Sequence, residues 1–335
     1  MKGDSGRLAM AVLAFCCVCW GFSFPVMQIS AAAVDRAIAR QSDAAALMRE
    51  KLATRATFNG WRFVAAGMIC WAFAARRRRP RVRAEAVGGA VVGLCFGGGM
   101  LFQLIGLQYT LPSTSSFLTA LAVVFAPIAQ SLLLRRIVGM RVWLAAALAL
   151  SGMAVLSSGN PRAAAAGTLA VTPPLPYLGE GLTVLASVLF TAQILSLDHY
   201  GQHADGAAMT VATLLAAGGI NLAIGLLLGG SDIYHAAVVS RLARDFTFLW
   251  SFWGLVLFSS VLAIQLMNTW QPRIAPATAA VVYCLEPVFG TLFSIAFGAE
   301  RLTIVTLSGG AIILAAVLVV ARRSQGQFPL PRPVE

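Results

Sequence analysis

Two stretches decide the fold: "LPSTSSFLTALAVVFAPIAQSLLLRR" (residues 111–136) and "APATAAVVYCLEPVFGTLFSIAFGAE" (residues 275–300). Slid over one another by 164 positions, they place Pro112 on Pro276, Thr114 on Thr278, Leu121 on Leu285, Val124 on Val288 and Phe125 on Phe289. Each copy runs on into a further apolar stretch. A long-period repeat of this kind describes the architecture before any single site does.

Working outward, apolar runs of spanning length fall near 8–30, 57–75, 86–108, 114–134, 140–158, 179–197, 207–229, 247–267, 276–297 and 302–321. That makes ten spans, five to each copy. Five is odd, so the two halves must face opposite ways in the membrane, and an inverted repeat is the architecture that transporters use for alternating access. The predicted fold class is therefore all-α integral membrane, with ten transmembrane helices as two inverted five-helix repeats. The expected domain boundaries are 1–160 for the first repeat, 161–178 for an outer linker, 179–322 for the second repeat and 323–335 for a cytoplasmic tail.

Composition agrees with that class. Hydrophobic residues make up 59% of the 335 and charged residues 11%, where a soluble domain carries about 25% charged. The net charge of +12 is not a nucleic-acid signal, because no gap between spans is long enough for a basic domain with its own fold. Its densest run, Arg76 to Arg79 with Arg81 and Arg83, follows directly on a span, as cytoplasmic flanks do. Assigning the gaps alternately from an inner N-terminus places fifteen of the 25 basic residues inside and nine outside, with Arg62 inside a span. Both termini are thus expected in the cytoplasm, and the chain in the inner or plasma membrane. The run Leu8 to Ser30 is longer than a signal-peptide core of about 7–15 residues, so a retained first span is expected.

The first outer gap is unusually long. Val34, Ile38, Ala45, Met48 and Leu52 fall near one helical face there, which predicts either an amphipathic helix lying on the outer surface or a solvated connector. Cys16, Cys17, Cys19, Cys70, Cys95 and Cys284 all fall inside spans, so no loop disulfide is expected. His199, His203 and His235 lack the partners of a zinc site. No metal, cofactor or catalytic residue is expected, and no Walker-type glycine loop is present for ATP.

At these residues the chain resembles the EamA family of the drug/metabolite transporter superfamily. The likeness rests on "CWGFSF" at Cys19 to Phe24, "RF" at Arg62-Phe63, "SSFLTALAVVFAPI" in the fourth span, "LEPVFGTLF" in the ninth and "GAERL" at Gly298 to Leu302. It covers about residues 8 to 321. The first half departs from it with "LLRRIVGMR", which puts Arg136 where an acid would match Glu300. The resemblance implies a central cavity lined by the first four spans of each half, with the fifth and tenth peripheral. It also implies export or exchange of small organic metabolites, commonly amino acids.

The candidate cavity residues are Trp20, Arg62, Gln103, Gln193, Gln265, Asn268, Tyr283 and Glu286, with Pro287 and Gly290 as candidates for a helix break or gate. An ionisable group at membrane depth is by default a functional hypothesis, so Glu286 is a candidate for carrying a proton. The alternative is that it braces a break made by Pro287, whose missing N–H frees a carbonyl near Tyr283. Tyr283, Glu286 and Gly290 share one helical face. Arg62 either meets a substrate carboxylate, pairs with Glu286 in a structural or gating role, or snorkels from near its helix start. The amides of Gln103, Gln193, Gln265 and Asn268 serve equally well as helix–helix glue. Gly93 and Gly97, at GxxxG spacing, point to tight packing of the third span. The expected partners are a small-molecule substrate and the lipid bilayer, with a homodimer left open and nucleic acid excluded. The rival readings are a membrane-embedded enzyme, which would need clustered acid, base or nucleophile side chains, and a non-transporting receptor or assembly protein.

Overall fold

The structure, a computed structural model, describes residues 2–38, 44–75, 83–107, 109–110, 112–158, 177–202, 204–229, 233–298 and 301–321. The basic residues Arg76 to Arg81, the linker as far as residue 176, His203, Glu300 and the 323–335 tail lie outside the described residues.

Every regular element among the described residues is helical. In chain order they are α1 (Lys2–Ile38), α2 (Ala44–Ala75), α3 (Arg83–Gly106), α4 (Pro112–Thr119), α5 (Ala122–Leu132), α6 (Met140–Ser158), α7 (Leu178–Gly201), α8 (Gly206–Leu227) and the short α9 (Ala236–Leu242). Then α10 (Phe246–Gly254) runs through a π-helical segment (Leu255–Leu262) into α11 (Ala263–Trp270). The last three are α12 (Pro276–Tyr283), α13 (Leu285–Ala296) and α14 (Ile304–Ala321). Nine described stretches are long and apolar enough to cross a membrane. The tenth crossing is α2, whose apolar run is interrupted by Asn59 and Arg62.

Contacts between helices follow the repeat. Equivalent helices pack on one another where the two halves meet, α2 against α8 and α6 against α14. The remaining pairs come as mates: α3 lies on α7 as α10 and α11 lie on α1, and α4 and α5 lie on α7 as α13 lies on α1. Small residues permit the closest of these approaches. Gly89, Gly93 and Gly97 form a ladder along α3 that meets Met209, Thr213 and Ala217 on α8, and a Cβ on Gly93 would overlap the Thr213 carbonyl oxygen. Gly152 on α6 and Gly309 on α14 meet in the same way, each facing the other's carbonyl oxygen. The glycines of the third span thus serve packing.

The fourth and ninth crossings are each broken at the same point of the repeat. α4 stops at Thr119 and α12 at Tyr283, which are repeat mates. In the first half Val123 N–H bonds to the Ala120 carbonyl at 2.9 Å, a tighter turn than α, and in the second Cys284 N–H bonds to the Val281 carbonyl at 3.2 Å. A proline at this point is therefore not required for a break. The mate of Pro287 is Val123, and the first half breaks without it.

The long first outer gap is not a surface helix. Instead α1, with 37 residues, and α2, with 32, continue past the membrane as extensions of the spans. At 1.5 Å per residue α1 is about 55 Å long against a hydrocarbon core of about 30 Å. The projecting part of α1 is held by α9 and its neighbours. Val34 and Ala37 share an apolar cluster with Ile233, Val238 and Leu242. Arg241 donates to the Ala37 carbonyl at 3.1 Å, and Arg36 lies 3.9 Å from Asp245.

Candidate functional site

The break at Cys284 positions the candidate site. Because α13 begins at Leu285, Glu286 and Pro287 occupy its first turn, where backbone N–H groups have no helical partner and a proline is tolerated. Glu286 is half-buried and shares its electrostatic surroundings with Cys17 of α1. Among the described residues its carboxyl makes no hydrogen bond and no ion pair. A bracing role requires a bond to a released carbonyl, and none is made.

Tyr283, the last residue of α12, sets its ring edge-on to Trp20, with centroids 5.6 Å apart. Its hydroxyl donates to Gln271 Oε1 at 2.7 Å, and Gln271 Nε2 donates to the Ile194 carbonyl of α7 at 2.9 Å. Trp20 Nε1 donates to the Ser259 carbonyl at 3.2 Å, inside the π-helical segment. Such segments inside α-helices recur at functional sites. Trp20 and Tyr283 both pack against the cluster formed by α1, α6 and α14 and against that formed by α2, α3 and α8, so they stand between the two. A Cβ on Gly290 would lie 2.9 Å from the Phe24 ring, and one on Gly21 would lie 2.7 Å from Gly290 N. Gly290 therefore seats α13 on α1.

Arg62 is placed differently from the alternatives its sequence offered. It lies well inside α2, which begins at Ala44, and is only 3% exposed, so it does not snorkel from a helix start. It forms no ion pair with Glu286. Its guanidinium lies 4.5 Å from the Phe63 ring centroid, Nη1 donates to Met27 Sδ at 3.5 Å, and Nε has no partner.

The amides divide. Asn268 donates to Thr210 and Thr213 of α8 at 3.1 and 3.3 Å and ties two helices together. Gln265, one turn earlier, bonds only to Thr269 of its own helix at 3.1 Å. Gln103 joins Thr119 at the end of α4 at 3.1 Å. Gln193 donates to Met267 Sδ at 3.3 Å, a weak acceptor. A groove of about 280 Å³ between α5 and α7, lined by Phe125, Ile128, Leu132, Leu133 and Val188 among others, contains none of these residues.

Three contacts that the sequence did not announce lie at the ends assigned to the cytoplasm, the first two of them between the halves. Arg136, which stands where an acid would match Glu300, donates to Asp198 of α7 at 2.7 Å. Gln130 accepts from Ala277 N at the start of α12 at 3.1 Å. The third is the Gln271 bridge between Tyr283 and Ile194. Asp198 is buried and charged, so loss of its partner is costly. Arg136→Gln, which leaves the buried Asp198 unpaired, is expected to speed modification of Cys17 and Cys284 by a water-soluble maleimide in inside-out vesicles about tenfold, since losing about 1.4 kcal/mol from a closed state multiplies its open population by ten. Peptide mass spectrometry assigns the site, and an unchanged rate at both cysteines removes this contact from any gating role.

A family model described as the EamA-like transporter family matches residues 44–158 and 177–322. An uncharacterized transporter from Archaeoglobus fulgidus is 28% identical over 235 residues, which cover 70% of this chain and 68% of that protein. A crystal structure of another protein superposes with a TM-score of 0.64 at 15% identity, covering 95% of this chain and 99% of that one, a likeness of fold.

Proposed function

The chain belongs to the EamA-like transporter family, and from that premise we infer that this multi-pass membrane transporter moves a small organic metabolite, such as an amino acid, by alternating access. It works as an exporter or exchanger in the cell membrane, with both termini on the cytoplasmic side. The observation that carries this reading is the unpaired Glu286 carboxyl, set in the first turn of a broken helix against α1 and beside the Trp20–Tyr283 pair. Broken helices at mid-depth and ionisable groups without partners are what a substrate or coupling-ion pathway requires.

In this reading the contacts of Arg136, Gln130 and Gln271 close the cytoplasmic side. Their release, with closure of the opposite side, passes the substrate across. Proton exchange through Glu286 supplies the energy. The test is flux into proteoliposomes of a pooled labelled set of amino acids, nucleobases and sugars, with and without a pH gradient. Saturable uptake of at least one member, faster with the gradient, is the expected result. A pool that moves no faster than through protein-free vesicles counts against the reading.

A further inference from the structure

The geometry points to an oxyanion subsite at Arg62 that selects substrates bearing a carboxylate. This deepens the transporter reading and rests on it for its flux measurement.

A guanidinium in low dielectric needs a counter-charge or a full set of acceptors. Arg62 has neither among the described residues. No acid among the described residues pairs with it; Asp198 is engaged with Arg136, Asp245 with Arg36 and the start of α10, Glu180 with Thr110 and Glu85 with the Asp205 N–H. The one hydrogen bond Arg62 makes is to a thioether sulfur, a weak acceptor.

The direction of that bond matters. A guanidinium presents a planar fork, and its Nε–Nη2 edge takes both oxygens of one carboxylate. Here Nη1 is the nitrogen turned to Met27 and one face is covered by Phe63. Nε and Nη2 make no hydrogen bond, so the unpaired edge, buried as it is, is the one suited to bidentate binding once the helices part to admit substrate. Asn59, three residues earlier on the same face of α2, is also buried and leaves Oδ1 without a partner. That acceptor would take an N–H or O–H adjacent to the carboxylate. Glu286, on a different helix and unpaired with Arg62, remains free for the proton.

The experiment uses the full-length protein with three labelled pairs that differ only in the charged group: benzoate and benzamide, nicotinate and nicotinamide, leucine and leucinamide. Wild-type proteoliposomes are expected to move at least one acid more than tenfold faster than its amide. Arg62→Lys, which keeps the charge but loses the fork, is expected to raise KM for that acid about tenfold with little change in kcat. Arg62→Met should abolish the preference for acid over amide. A second measurement separates this from a structural role. Removing a buried charge that has no partner should raise the melting temperature in detergent, by about 3 °C, and the stabilisation of wild type by the transported acid should vanish in Arg62→Met.

Equal transport of acids and amides by wild type overturns the subsite, and so does an Arg62→Met protein that melts earlier. Flux of none of the six, with Arg62→Met melting later and acids stabilising wild type alone, upholds the subsite and counts against transport of these acids, while the pooled flux measurement above tests the transporter reading separately. Flux of none, with no acid stabilising wild type, overturns the subsite.

Discussion

Replacing Glu286 by glutamine is expected to leave a folded carrier that exchanges substrate but no longer accumulates it. The carboxyl makes no hydrogen bond or ion pair among the described residues, so the amide, which has the same shape, disturbs no existing contact. What disappears is the capacity to take up and release a proton. With one proton exchanged per substrate, a one-unit pH gradient sustains about tenfold accumulation, because about 1.4 kcal/mol is tenfold in a ratio. In Glu286→Gln that ratio should fall to about one while counterflow of labelled substrate persists. Accumulation that survives in the glutamine variant assigns coupling to another group. Loss of counterflow together with an earlier melt returns Glu286 to a structural role.

Gly93→Leu is expected to be the most damaging single substitution for folding. Its Cβ alone would overlap the Thr213 carbonyl oxygen and lie 2.9 Å from the Ala216 Cβ. Backbone on the far side cannot rotate away as a side chain does, so α3 and α8 must separate along the glycine ladder. Overpacking of this kind costs about 3 kcal/mol. Gly219→Leu on α8, where an added Cβ meets nothing within 4 Å, should stay within about 0.5 kcal/mol of wild type. Thermal unfolding in detergent, followed by loss of the monodisperse chromatographic peak, compares the two. Similar melting of both variants contradicts the packing described for the two helices.

The sequence carried the architecture well because membrane spans leave a coarse signal: twenty apolar residues, basic flanks and a repeat offset of 164 positions. The helix breaks at Thr119 and Tyr283 fall at positions related by that offset, although the sequence had announced a break only in the second half. It did not reveal their cause. A proline beside a carboxyl reads as the agent of a break, yet the first half breaks with Val123 in that place. Arg62 was legible as an oddity and illegible as a site, since the choice among snorkelling, pairing and binding depends on where α2 begins and which acids lie near. Gln271 was missed altogether. It follows the end of the eighth span in a short Gln-Pro-Arg turn that reads as a connector, and only the meeting of Tyr283 with Ile194 gives it a role. The outer gap misled for a simpler reason: an amphipathic face looks the same whether its helix lies on a membrane or stands above it against α9.

Pro25 lies inside α1, between Trp20 and Met27. Lacking an N–H, it leaves the Gly21 carbonyl without the bond that would tie one turn to the next. α1 runs unbroken from Lys2 to Ile38, and Pro25 divides it into a lower and an upper rod that can bend at this joint. The lower rod carries Cys17 and Trp20 against the half-helices of the ninth crossing, and the upper carries Met27 against Arg62 and ends in the crest that α9 clasps. About 13 residues of upper rod make a lever of roughly 20 Å, so a swing of about 10° at the joint moves the crest by some 3 Å. The crest is length beyond what a hydrocarbon core of about 30 Å requires.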